Sequence, residues 1–183
     1  MRLESPVSPR ALSRTRERVG VRAVACPPKF LFLMSQKARR QRVYLIDTNV
    51  VSDGRKGKLA NSGVRSFFTH AARQQTRLDP SFVTVGELRR GVELVRHRGD
   101  SIQAMKLENW LVGLLSDYAD DILAFDHDAA QLWGRLRVPH HENAIDKQIA
   151  ATALIHDLTL VTRYTADFID TGARCLDPFT LVS

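Results

Sequence analysis

The run Val43-Tyr44-Leu45-Ile46 stops abruptly at Asp47-Thr48-Asn49, and this junction constrains the fold more than any other feature of the chain. Four consecutive apolar residues closed by polar ones read as a buried strand followed by a polar turn. Strands buried on both faces belong to parallel sheets covered by helices. The sequence downstream agrees. Val64, Phe67, Phe68, Ala71 and Ala72 recur at helical spacing, and Ser81-Phe82-Val83-Thr84-Val85 predicts a second strand running into a helix from about Gly86 to His97. Ile102, Met105, Trp110, Leu111, Leu114, Leu115 and Tyr118 mark another amphipathic helix. Ile122-Leu123-Ala124-Phe125 predicts a third strand, followed by a helix over Asp126–Arg137. Ala144–Asp157 reads as a small-residue helix, Leu158–Thr162 as a fourth strand, and Ala173–Leu176 as a candidate fifth. Strands alternating with helices predict an α/β fold with a central parallel sheet of four to five strands, covered on both faces.

Charge divides the chain in two. The net charge is +7, yet residues 1–42 hold eleven Arg and Lys against Glu4 and Glu17, while residues 43–183 hold sixteen bases against eighteen acids. The high pI therefore belongs to the N-terminal segment and says nothing about nucleic-acid binding by the folded part. Rich in Arg, Ser and Pro and lacking periodicity, residues 1–42 are expected to form a disordered basic tail ahead of a domain at 43–183. Two other readings stay open: an arm that grips RNA phosphates, or sequence upstream of a true start at Met34. The longest apolar run near the start, Phe30–Met34, falls far short of a membrane span, so a cytoplasmic protein is expected. Cys26 and Cys175 are expected to be free thiols.

In an open α/β sheet, ligands bind beyond the carboxyl ends of the strands. Three acids satisfy that rule: Asp47 at the end of the first strand, Glu87 at the opening of the following helix, and Asp146 in the first turn of the Ala-rich helix. Converging carboxylates repel one another, and a hard cation such as Mg²⁺ relieves the repulsion and can activate water against a phosphodiester. Each acid also has a plainer reading. Asp47-Thr48-Asn49 suits a turn, Thr84-Val85-Gly86-Glu87 fits a helix capping box, and Asp146 complements a helix dipole. The three together on one edge favour the metal.

These residues resemble a known family. Tyr44–Ser52 is similar to the opening signature of PIN domains, Thr84–Gly91 to their second acidic motif, and Ala144–Ala153 to their third. Leu160-Val161-Thr162-Arg163 followed by Asp167-Phe168 resembles the fourth, and the match runs in order from about Val43 to Phe179, closest to the VapC-type toxins. The resemblance implies a three-layer α/β/α fold and Mg²⁺-dependent (or Mn²⁺-dependent) endoribonuclease activity, often on tRNA. It also implies a cognate antitoxin, and a homodimer or a toxin–antitoxin hetero-oligomer. Asp47 and Asp146 are then the chief metal ligands, with Glu87 completing the cluster and Asp167 a further candidate. Thr48, Asn49 and Arg163 are expected to support the ligands or position substrate.

One position departs from the pattern: Tyr164 stands where the family usually has Asn or Asp. A phenol is no hard-metal ligand at neutral pH, so the alternative function is a catalytically impaired PIN fold that acts by binding antitoxin or RNA. Aspartyl phosphotransfer through Asp47 fits less well, because Asn49 occupies the place of the usual second acid. His140-His141-Glu142 invites zinc but lacks a third ligand at useful spacing. Arg89, Arg90, Arg96 and Arg98 suit RNA phosphates or a solvated helix face equally well, and Trp110 and Trp133 suit packing. Surplus apolar residues on the 102–118 helix suit a dimer or antitoxin contact.

Overall fold

A computed structural model of the chain describes residues 43–181. The expected tail, Met34 and Cys26 lie outside the described residues. Strand β1 (Val43–Ile46) is followed by helix α1 (Thr48–Gly54), a 3-10 turn at Gly57–Leu59 and helix α2 (Ser62–Arg73). Strand β2 (Arg77–Pro80) leads into α3 (Phe82–His97), α4 (Ser101–Asp117), α5 (His127–Leu136) and α6 (Ala144–Ile155). Strand β3 (Thr159–Val161), a 3-10 segment at Thr165–Thr171, strand β4 (Arg174–Leu176) and a 3-10 turn at Pro178–Thr180 complete the described chain.

The four strands form one sheet in the order β2-β1-β3-β4, all parallel. Side chains alternate across it, as the pleat requires. Ile46 and Val161 face a core with Val50 and Val51 of α1, Val64 and Phe67 of α2, Leu88 and Val92 of α3, and Leu111 of α4. Leu45 and Leu160 face the other way, onto Ile149, Ala150 and Ala153 of α6 and onto Phe168. The result is the three-layer α/β/α architecture. Alanines on the buried face of α6 let that helix approach the sheet closely, and Ala150, Ala151 and Ala153 are fully buried.

Two strand expectations are corrected. The second strand is Arg77-Leu78-Asp79-Pro80, and the apolar run Phe82–Val85 is the first turn of α3. Ser81 stops the strand by capping the helix, its Oγ accepting from Thr84 N at 3.0 Å. β2 escapes a search for apolar runs because it carries a buried acid, Asp79, whose carboxylate accepts from Arg77 Nε at 2.8 Å. Burial raises the Asp79 carboxyl despite that partner. Pro80 is tolerated because β2 is an outer strand. The expected third strand, Ile122–Phe125, contributes only a single parallel bridge between Leu123 and Ser81, with Leu123 N donating to Pro80 O and Phe82 N to Leu123 O. It shields the β2 edge without extending the ladder. The turn expected after β1 is instead the start of a helix, α1, with Asp47 as its N-cap.

The C-terminal turn docks where α2 leaves no room for a side chain. A Cβ on Gly63 would lie 2.2 Å from the Pro178 carbonyl oxygen and 2.7 Å from that of Leu181. Both are backbone atoms, so Gly63→Ala has to push the 178–181 segment off the helix. Thermal melts of that variant should show a loss of about 1–3 kcal/mol, a drop of several degrees in Tm; an unchanged Tm would contradict this packing.

Candidate active site

All four strands end at one edge, and the chain leaves β1 toward β2 on one side but returns at β3 on the other. The gap between the carboxyl ends of β1 and β3 is therefore a topological switch point, where α/β sheets bind ligands. Asp47 is the first residue beyond β1 and Thr162 the first beyond β3.

These two side chains meet. Thr162, fully buried, donates its hydroxyl to Asp47 Oδ2 at 2.7 Å. Asn49 Nδ2 donates to the same oxygen at 2.5 Å, and Thr48 N donates to Oδ1 at 2.6 Å. Asn49 Oδ1 in turn accepts from Arg163 N at 3.0 Å, and Thr162 Oγ1 accepts from Tyr164 N at 3.2 Å. Burial raises the Asp47 carboxyl above its ordinary value, while the three donors work against that rise. A carboxylate oxygen can accept about two hydrogen bonds, so Oδ1 keeps a lone pair after Thr48 is served.

Asp146 lies in the first turn of α6 and is only half-buried. Its carboxyl is pushed up to about 6, first by burial and then by the negative charges of Asp47, Asp167 and Glu87. Four acids from four segments thus converge. Among the described residues, neither Asp146 nor Asp167 has a side-chain hydrogen bond or ion pair, and Glu87 has only Arg90, at 3.8 Å.

Glu87 arrives differently from expectation. With Ser81 as the cap, Glu87 sits in the second turn of α3 and faces the cluster, so the capping-box reading of Thr84–Glu87 falls away. Thr84 is buried and ties the helix start to β1, its Oγ1 lying 3.4 Å from Ile46 O. Tyr164 is 55% exposed and begins the 165–171 segment. The fourth acid comes from Asp167, three residues later, whose charge reaches both Asp47 and Asp146. Arg163 stacks its guanidinium 5.0 Å from the Phe179 ring centroid. Thr48 Oγ1 is buried without a hydrogen-bond partner among the described residues.

Thr162 was the residue without an assigned role. Its signal was available in the sequence, as a polar residue closing an apolar run in the same manner as Asp47. His140 Nδ1 lies 3.9 Å from Glu142 Oε2, in the loop ahead of α6, where the Lys147 ammonium donates to His140 O. Trp133 packs edge-on against Phe125 and donates to Ala144 O at 2.9 Å, fixing the start of α6. Trp110 packs against the first core and receives the Arg55 guanidinium at 5.5 Å. Cys175 is a free thiol, pushed up by burial and by the Asp47 charge.

The donor set is all oxygen and carries excess negative charge, which suits a hard divalent cation. Among the described residues, no three His, Cys, Asp or Glu side chains are drawn in to metal-ligand spacing. Sharing one ion requires these carboxylates to close by side-chain rotation. Their identity fits such an ion, and the buried Thr48 Oγ1, without a partner among the described residues, lies next to Asp47 in the chain.

These features define a class: an α/β protein with an acidic site at the switch point of a four-stranded parallel sheet. Comparison with known proteins narrows it. The PIN domain model matches residues 44–172. Over 141 residues the chain is 31% identical to Toxin FitB of Neisseria gonorrhoeae, covering 74% of this chain and 97% of that protein. The crystal structure of FitAcB from Neisseria gonorrhoeae superposes with a TM-score of 0.60 at 30% identity, over 76% of this chain and 99% of the other. FitAB bound to an IR36 DNA fragment gives 0.59 at 28% identity, over 77% and 98%. The chain belongs to the PIN-domain family.

The repulsion at Asp146 makes a signed prediction about the cation-free protein. Its carboxyl rises from 3.8 to about 6 on folding, so the ionised form is disfavoured in the fold. Stability is lost as pH climbs through that window and stays lost above it. Asp146→Asn should therefore raise Tm in EDTA at neutral pH by roughly 2–6 °C, about 1 kcal/mol after solvent screening. The gain should vanish below about pH 4. Equal melts of the two proteins at pH 7.5 (about the physiological range) would refute the coupling.

Proposed function

We propose that the chain is the toxin of a type II toxin–antitoxin pair and acts as a divalent-cation-dependent endoribonuclease, hydrolysing RNA phosphodiester bonds at the Asp47–Glu87–Asp146 site. The observation that carries this reading is the convergence on Asp146 of the charges of Asp47, Asp167 and Glu87 at the switch-point edge. Such a concentration of carboxylate destabilises the fold unless something positive is to be bound there.

A bound Mg²⁺ or Mn²⁺ would supply charge compensation and activation of water for attack on phosphorus. Asp47 and Asp146 would hold the ion, with Glu87 and Asp167 completing its surroundings. Thr162, Asn49 and the Thr48 amide keep Asp47 in one rotamer, so its free lone pair points consistently. Asn49 also accepts from the Arg163 amide, which holds the start of the segment after β3 against the site. The similarity to Toxin FitB over nearly all of that protein supports the toxin role. The similar structures are of FitAcB and of FitAB bound to an IR36 DNA fragment, both complexes, which favours a partner protein such as an antitoxin and a hetero-oligomer or homodimer for this chain as well. Cytoplasmic action on tRNA or another structured RNA accords with this reading. Among the described residues, no helix is long and apolar enough to cross a membrane.

Tyr164 is 55% exposed and Asp167 adds its charge to the cluster, which favours the nuclease over the impaired-enzyme alternative. Cleavage of total tRNA and defined RNAs should require Mg²⁺ or Mn²⁺ and be abolished in Asp47→Asn. Mg²⁺ should also raise Tm of the wild type but not of Asp146→Asn, by the mass action of a ligand on the native state. No cleavage by well-folded protein with either metal would defeat the nuclease reading. Asp167→Asn should lower kcat/KM at least about tenfold, while Tyr164→Phe stays within about twofold. The reverse ranking would return Tyr164 to the site.

A further inference from the structure

The arginines of α3 differ in what holds them. Arg89 and Arg96 both reach Glu108 of α4, at 2.6 and 3.0 Å, and Arg96 also pairs with Glu93. Together they hold the Glu108 carboxyl down at about 2. Both guanidiniums are committed to joining α3 to α4. Arg90 is not. Its Nη1 stands 3.8 Å from Glu87 Oε2, too far for a hydrogen bond, and its side chain is 66% exposed.

Arg90 also occupies a particular stripe. Phe82, Gly86 and Arg90 are spaced i, i+4 and i+8 on α3, and all three are exposed. The stripe begins at the carboxyl edge of β2 and passes beside Glu87, running about 12 Å along the helix. Phe82 leaves 55% of its surface in solvent, and a Cβ added at Gly86 would meet nothing within 4 Å. An open helix face with an aromatic ring at one end and an uncommitted guanidinium at the other suits a single nucleic-acid strand.

Electrostatics raises the need for such a group. The segment 43–183 holds more acids than bases, and four carboxylates crowd its site. A polyanion is repelled there except by the bound cation and by nearby positive side chains still free to pair. Arg77 is engaged by Asp79 and Asp121, Arg163 lies against Phe179, and the Lys147 ammonium serves the His140 carbonyl. Among the described residues, Arg90 has no partner closer than the 3.8 Å approach of Glu87. Its loose pairing has a further consequence. Were Glu87 to turn toward a cation, Arg90 would lose the one partner it has among the described residues.

We infer that Arg90 is a substrate-contact residue: its guanidinium takes a phosphate of single-stranded RNA flanking the scissile bond, and the Phe82 ring offers a stacking face to a neighbouring base. This rests on the nuclease reading above. The full chain carrying Asp47→Asn, which blocks cleavage, would be titrated against a fluorescein-labelled single-stranded RNA by anisotropy across a salt series. Adding Arg90→Ala should weaken binding about three- to tenfold and lower the slope of log Kd against log salt by about 0.7, the loss of one phosphate contact. Arg90→Lys should restore most of the slope, and Arg96→Ala should change neither quantity. In the cleaving protein, Arg90→Ala should raise KM and leave kcat nearly unchanged. If the wild type cleaves with metal but Arg90→Ala binds and cleaves like it, the inference fails and the nuclease reading stands. If the wild type neither binds nor cleaves RNA, the nuclease reading fails first. Altered sedimentation of Arg90→Ala with unaltered RNA affinity would assign the stripe to a second copy of the chain and overturn the inference.

Discussion

The buried hydrogen bond from Thr162 to Asp47 is the contact on which the site depends. It joins the residue after β1 to the residue after β3, and so closes the seam at which the chain reverses its direction of winding. Asp47 is also the N-cap of α1, which means that one carboxylate ends a strand, starts a helix and faces the acidic cluster. Those tasks are compatible because each oxygen has its own donors, Thr48 N on Oδ1 and the Asn49 and Thr162 side chains on Oδ2. Replacing any donor with an apolar group leaves part of a buried charge unserved, which costs more than the lost bond alone.

Around that fixed point the fold accumulates unfavourable charge. Asp146 and Asp167 bring carboxylates without partners among the described residues, and Glu87 brings one with a loose partner. Well-packed surroundings sustain the arrangement: Val50, Val64 and Val161 on one side of the sheet and Ile149, Ala150 and Leu160 on the other are all essentially inaccessible to solvent. Apolar burial of that kind can support several unfavourable kcal/mol at a site. The acids therefore stand on rigid elements, three of them within a turn or two of a strand end or helix start and Asp167 on the short 3-10 segment after β3.

Much of this was legible in the chain, and the exceptions share a cause. Runs such as Val43–Ile46 and Leu158–Val161, apolar but for Thr159, declare themselves as strands because both faces of the sheet are covered. β2 breaks that rule, since Asp79 is buried by pairing with Arg77 instead of being replaced by a hydrophobe. Its apolar neighbour, Phe82–Val85, then passes for the strand, and only the cap at Ser81 reveals the shift. Asp47 and Asp146 lie at the carboxyl edge, where position alone placed them. Glu87 lies near them too, but in the second turn of α3, a place that the T-x-x-E pattern obscured by imitating a helix start. Thr162 was passed over since a hydroxyl carries no charge, and its role depends on a partner 115 residues away.

The displacement from Tyr164 to Asp167 shows why spacing along the chain is a weaker guide than topology. After β3 the backbone leaves the sheet as a 3-10 segment over Thr165–Thr171, with Tyr164 just ahead of it and Asp167 within its first turn. From that segment Asp167 brings its charge to bear on both Asp47 and Asp146. The Tyr164 side chain is more than half exposed. The same reasoning applies across the site. What the proposed chemistry requires is a set of oxygens at the seam between β1 and β3, and any element that reaches the seam can supply one.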